Sequence, residues 1–230
     1  MLKIRFLNSA LNLYKIKLFF SLLFVIVFSS TSYGDTKLII LGSGTPNPDP
    51  QRYGSGYAIV VNESAYIVDF GPGIVRRISA MSPTWGGEFS SMELKKINIA
   101  FLTHIHSDHS GALADLILTP WIMGRDEPLK LYGPPGLDAM SKNITEAYID
   151  DINYRLYGSQ PANKLGYTTL VNEISEDGVI YKDKNVKVIA FKNAHGDFKN
   201  SFGFQRQTFG NAAKPTVQVS YTRGDYNDLN

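Results

Sequence analysis

Short apolar runs, broken by clusters of glycine, proline and polar residues, recur along the chain. Runs of about four to eight residues bounded in this way read as strands. Residues 37–41, Lys-Leu-Ile-Ile-Leu, predict a first buried strand, and the glycine- and proline-rich residues 42–50 predict a loop. Gly56–Val61 and residues 65–70 predict a hairpin joined by Asn62-Glu63-Ser64, followed by a short helix over 74–81 and an irregular connection over 82–92. The apolar run 97–102 predicts a central buried strand, and residues 111–119 a helix. Residues 129–132 predict a strand that Gly133-Pro134-Pro135-Gly136 turns into a helix over 137–148. Strands resume at 186–191 and 201–207, where Lys182, Lys184 and Lys187 suggest a solvated edge. Short strands alternating with helices predict an α/β layered fold. Tyr148, Tyr154, Tyr157 and Tyr167 are expected to pack, with a substrate wall as the other reading.

The chemistry gathers behind the central strand, in Thr103-His104-Ile105-His106-Ser107-Asp108-His109. Of the four histidines in the chain, three fall in this loop; the fourth, His195, follows another apolar run 86 residues later. A tight loop after a strand can aim alternate side chains at one point, and imidazole nitrogens with a carboxylate oxygen are what a zinc-like cation accepts. The competing reading is a solvent-exposed polar loop that happens to be rich in histidine. Gly42-Ser43-Gly44 offers a weak phosphate-cradle signal, and tight-turn geometry accounts for it more simply.

Length and charge change the picture at the N-terminus. The 230 residues suit one domain, but residues 1–34 read as a signal peptide ahead of it. Lys3, Arg5, Lys15 and Lys17 carry positive charge with no acidic residue, residues 18–28 are apolar apart from Ser21, and Ser32-Tyr33-Gly34 predicts cleavage before Asp35. An apolar run of this length falls short of the roughly 20 residues that span a bilayer, so no stable membrane span is expected. Without that segment 19 basic residues face 21 acidic ones, and residues 35–230 carry a net charge of −2. The broad positive field of a nucleic-acid binder is absent. With no cysteine, disulfides and thiolate metal sites are excluded.

The pattern His104-Ile105-His106-Ser107-Asp108-His109 resembles the signature of the metallo-β-lactamase superfamily. Leu41-Gly42-Ser43-Gly44-Thr45-Pro46, Ile67-Val68-Asp69-Phe70-Gly71-Pro72-Gly73 and Leu131-Tyr132-Gly133-Pro134-Pro135-Gly136 are similar to the branch containing ribonuclease Z. The resemblance covers about residues 37 to 225 and implies a four-layer αββα sandwich, with its metals at one edge where loops from both sheets meet. It implies two zinc ions, with manganese or iron as alternatives on ligand type. His104, His106 and His195 would hold the first and Asp108 and His109 the second, with Asp69 supporting them from behind. Asp225, in Thr222-Arg223-Gly224-Asp225-Tyr226, is the candidate bridge, although the family motif carries a small residue before that glycine and threonine after the aspartate. Two cations roughly 3.5 to 4 Å apart would hold a hydroxide that attacks phosphorus or carbonyl carbon, with Asp108 orienting water or moving a proton.

The family pattern continues beyond this aspartate to a last histidine, whereas this chain stops at Asn230 with no further histidine. The C-terminal half of the sandwich is therefore expected to be incomplete, leaving apolar surface for a homodimer to cover. Three functional expectations follow. The first is an exported, periplasmic or secreted hydrolase of phosphodiesters, sulfate esters or other small ester-like substrates. The second is a ribonuclease Z-type endonuclease that processes tRNA 3′ ends, although nucleic acid is disfavoured by the charge. The third is a truncated metal-binding remnant with little activity.

Overall fold

In the computed structural model of the chain, described for residues 36–208 and the backbone of 217–219, the apolar runs pair into two sheets. The first contains, in sequence order, β1 (Thr36–Gly42), β2 (Gly56–Val61), β3 (Ser64–Val68), β4 (Ile99–Phe101), β5 (Leu129–Gly133) and β6 (Thr169–Glu173). Strands β1 to β3 are antiparallel, and β3 to β6 are parallel. Asn62 and Glu63, both left-handed at φ 46° and 63°, close the β2–β3 hairpin with the twist that two-residue turns require. The second sheet is antiparallel, in the order β10 (Val217–Val219), β9 (Phe202–Thr208), β8 (Val186–Lys192), β7 (Gly178–Lys182).

Parallel neighbours need crossovers, and helices supply them: α1 (Ile74–Ala80), α2 (Ser107–Ser110), α3 (Leu113–Ile122), α4 (Leu137–Ala147) and α5 (Ile149–Tyr157). Strand residues alternate between two cores. Ala58, Val60, Ala65, Ile67 and Ala100 face the helices with Ile74, Ile78, Leu113 and Trp121. Ile59, Val61, Tyr66, Val68, Ile99 and Phe101 face the second sheet's Val186, Val188, Ala190, Phe202 and Phe204. Strands covered on both faces carry apolar residues at every position, which is why the sequence shows runs rather than alternation. Each buried Val, Leu, Ile or Phe among them contributes roughly 1.5–3 kcal/mol by its burial.

These layers are helix, sheet, sheet. The second helical layer of the expected sandwich is not seen among the described residues, where no helix covers the outer face of the second sheet. Residues 1–34, expected to be a signal peptide, and Asp225 fall outside the described residues, and no helix within the described residues is long and apolar enough to cross a membrane.

Several local expectations change. Residues 107–110 form their own helical turn, and α3 runs on through Pro120 to Ile122. Proline there leaves the Leu116 carbonyl without its usual amide. The fully buried Arg125 replaces it, donating to Leu116 and Ile117 carbonyls at 3.1 and 2.7 Å and to those of Ile97 and Gly166. Burial, which outweighs the opposing charge of Glu127, pulls that guanidinium down to about 10. Strand β1 is not uniformly buried: Leu38 and Ile40, paired with Ile59 and Tyr57, are 50% and 62% exposed where the second sheet gives no cover. Strands β6 and β7 are additions. Tyr148, Tyr154 and Tyr157 are exposed rather than packed, and of the four tyrosines only Tyr167 packs against the core.

Candidate metal centre

Three parallel strands end at the same edge, so the loops after them converge. Asp69 follows β3, Thr103 to His109 follow β4, and Pro134 to Gly136 follow β5. His195 arrives from the other sheet, behind β8, and the Phe202 amide donates to the Thr103 carbonyl at 3.0 Å, joining the two sheets at the site.

Backbone contacts fix the convergence. The Phe70 amide donates to the His109 carbonyl at 2.7 Å and the Ser55 amide to the Asp108 carbonyl at 2.8 Å. A Cβ on Gly71 would fall 1.9 Å from the Asp108 carbonyl oxygen, so only glycine allows this approach. The Ser110 hydroxyl donates back to the Ile105 and His106 carbonyls, closing the histidine loop.

The buried Asp69 adopts a left-handed φ of 58°, a conformation short polar side chains tolerate and one that concentrates at functional sites. Its carboxylate accepts the Thr103 amide at 2.8 Å and the Thr103 hydroxyl at 2.9 and 3.0 Å, and lies 2.7 Å from His109 Nδ1. The consequence reaches two imidazoles. His109 carries its proton on Nδ1 to meet the carboxylate. Thr103 spends its single proton on Asp69 and therefore accepts from His104 Nδ1, 3.0 Å away. In both rings Nε2 is left with the lone pair, the state a metal ligand needs.

The Nε2 of His195 lies 3.2 Å from Nδ1 of His106. One ring nitrogen from each of His104, His106 and His195 lies within 4.8 Å of the others. The His109 ring centroid is 4.1 Å from that of His104, and its Nε2 is 3.4 Å from Asp108 Oδ2. The other Asp108 oxygen, Oδ1, is buried and accepts no hydrogen bond from the described residues. Burial, reinforced by repulsion from His109, His195 and His106, pulls the His104 imidazolium down to about 3. The ring is therefore neutral at any ordinary pH. Three converging imidazoles beside a buried carboxylate fit a divalent cation.

The structure thus brings together His104, His106, His195, Asp108, His109 and Asp69. Sequence reading gave Thr103 no role of its own, although its place between strand end and first histidine was the available signal. Phe198, whose ring centroid lies 4.8 Å from that of His106, was also missed, and a lone phenylalanine in a polar loop gives no signal.

With this geometry, similarity to known proteins takes on meaning. Residues 49–173 match the family model of the metallo-beta-lactamase superfamily. A ribonuclease Z of Mycobacterium bovis is 32% identical over 123 residues, 52% of this chain and 41% of that one. One from Mycolicibacterium gilvum is 28% identical over 181 residues, 76% of this chain and 58% of that one. The chain thus spans about half the length of these relatives. The short form of human tRNase Z shares the fold at a TM-score of 0.61 and 20% identity, over 80% of this chain and 68% of its own. Yeast PDE1 does so at 0.52 and 15%, over 84% and 68%. The chain belongs to the metallo-beta-lactamase superfamily.

Proposed function

We propose that this protein is a metal-dependent hydrolase of phosphodiesters whose substrate is RNA, in the manner of its ribonuclease Z relatives. The observation that carries the reading is the convergence of His104, His106 and His195, with Asp108 and His109 against them. These residues would hold zinc, or manganese or iron, with His104, His106 and His195 as the first set and Asp108 and His109 as the core of a second. A cation bound there supplies Lewis acidity and lowers the pKa of water.

The chain's own residues do the rest. Asp69, through Thr103 and His109, keeps the ligating nitrogens deprotonated. Asp108 Oδ1, facing no other donor, is placed to take a proton from an attacking water. No side-chain nucleophile is required.

A second reading, an exported hydrolase of small phosphodiesters, is favoured by the signal-like residues 1–34 and by the slight negative charge of residues 35–230. One experiment separates the two. The purified full chain, loaded with zinc, is given precursor tRNA with a 3′ trailer and, separately, bis(p-nitrophenyl) phosphate, with His104→Ala as control. Trailer removal that His104→Ala abolishes supports the ribonuclease reading. Turnover of the small diester alone transfers support to the exported enzyme. A zinc-loaded chain inert toward both sinks the hydrolase proposal.

A further inference from the structure

The histidines of the centre are not held alike. His104 and His109 are buried, and each has a fixed partner at Nδ1, the Thr103 hydroxyl and the Asp69 carboxylate. His106 is exposed, and no carboxylate, hydroxyl or carbonyl holds its ring among the described residues. Among the described residues its ring hydrogen-bonds only to His195, with Nδ1 and Nε2 at 3.2 Å. That contact uses two nitrogens that a cation would claim, so it does not survive loading of the site. Two imidazoles that would themselves be ligands stand beside the His106 ring, those of His104 at 4.7 Å and His195 at 5.1 Å; the non-ligand ring beside it is Phe198, at a centroid distance of 4.8 Å and an interplanar angle of 48°.

Phe198 comes from the segment that delivers His195. Gly196, at φ 56°, turns the chain, and the Phe198 amide donates to the His195 carbonyl at 3.1 Å, so ligand and phenyl ring move as one unit. The phenyl ring also approaches His104 and His195, at 6.0 and 6.4 Å, and so borders all three imidazoles.

We infer that Phe198 is the positioning residue for His106, clamping an exposed imidazole by ring packing where His104 and His109 are held by hydrogen bonds. The reason is entropic. An exposed side chain free to rotate must be fixed when it binds a cation, and a ring already packed against it has met part of that cost beforehand. Edge-to-face and tilted ring pairs supply this kind of restraint. The inference rests on the metal-binding reading above.

The test is zinc affinity of the full chain, measured by competition with a chromophoric chelator, beside the melting temperature of the zinc-free protein. Removal of outer groups that orient a ligand weakens metal affinity by about 10- to 100-fold. Apolar packing is a softer restraint, so Phe198→Ala is expected to weaken zinc about three- to tenfold without lowering the zinc-free melting temperature. Phe198→Tyr, which keeps the ring, is expected to restore wild-type affinity. In a His106→Ala background, Phe198→Ala is expected to have no further effect. Unchanged affinity in Phe198→Ala would overturn the assignment, as would an equal loss with His106 already removed. Should Phe198→Ala fail to fold, Phe198→Leu carries the same comparison. A wild-type chain that binds no zinc would overturn the metal-binding reading itself, which separates the two failures.

Discussion

Asp69 shows how much one side chain decides at this site. It sits at the end of β3, hydrogen-bonds to Thr103 and His109, and through them sets the proton positions of two imidazoles. The sequence suggested a supporting role from its place in the Asp69-Phe70-Gly71 turn; the left-handed backbone and the relay through Thr103 came only from the structure. The same burial makes His104 a source of pH sensitivity in the metal-free protein. Its imidazolium is lowered from 6.5 to about 3, so below pH 6.5 the unfolded chain takes up a proton that the folded chain refuses. Stability is full above that pH and falls toward pH 3, by at most about 1.4 kcal/mol per pH unit from this residue. Urea unfolding of zinc-free protein at pH 7.5, 6 and 5 should show a falling midpoint, with a shallower fall in His104→Gln. Identical pH profiles for the two proteins would rule this out.

Among elements, the junction of three strand ends decides whether the site forms. The turn after β3 lies so close to α2 that a methyl group on Gly71 meets the Asp108 carbonyl at 1.9 Å and the Ser55 amide nitrogen at 2.6 Å, both backbone atoms. Gly71→Ala must push α2 away, and with it Asp108 and His109. Overpacking of this kind costs roughly 1–3 kcal/mol. The expected result is a lower melting temperature together with weakened zinc binding, whereas wild-type affinity would show that α2 is not tied to this turn. The element types were largely readable in advance, because β2, β3 and β4 are apolar on both faces. Strands β6 and β7 were not, since half-exposed edges such as Thr169–Glu173 carry mixed residues and little periodicity. Helix α3 passes through Pro120 because Arg125, nine residues from Leu116, supplies the missing donor; no local rule anticipates that.

At the level of the whole molecule, the metal centre needs both sheets, and their docking depends on a polar clasp as well as on the apolar layer. Asp183, in the β7–β8 turn, accepts the Tyr66 hydroxyl of the first sheet at 2.6 Å, the Tyr181 hydroxyl at 3.0 Å and the amides of Asn185 and Val186 at 2.7 and 2.8 Å. Burial opposes its charge, but these four donors overcome it and hold the carboxyl below its usual range. Asp183→Asn keeps the shape while turning one acceptor into a donor that faces hydroxyls and amides. It should destabilise the fold by about 1–3 kcal/mol and weaken zinc binding through His195, which the second sheet carries. Denaturant titration and chelator competition read both effects, and loss of neither would mean that apolar packing alone docks the sheets.

By itself the sequence determined the layered α/β class, the placement of the main strands and the identity of the histidine loop that forms the candidate site. These rest on short-range information: apolar runs long enough for strands, glycine and proline at their ends, and three of four histidines within six residues. Tertiary structure alone decided what depends on distant parts meeting. It brought His195 across from the second sheet to within 3.2 Å of His106, relayed Asp69 through Thr103 to His104, and set Phe198 against the exposed His106 imidazole. Such contacts are set by how two sheets dock and how loops of fixed length turn at their edges, and residues 34 or 89 positions apart leave no mark of that in a single sequence.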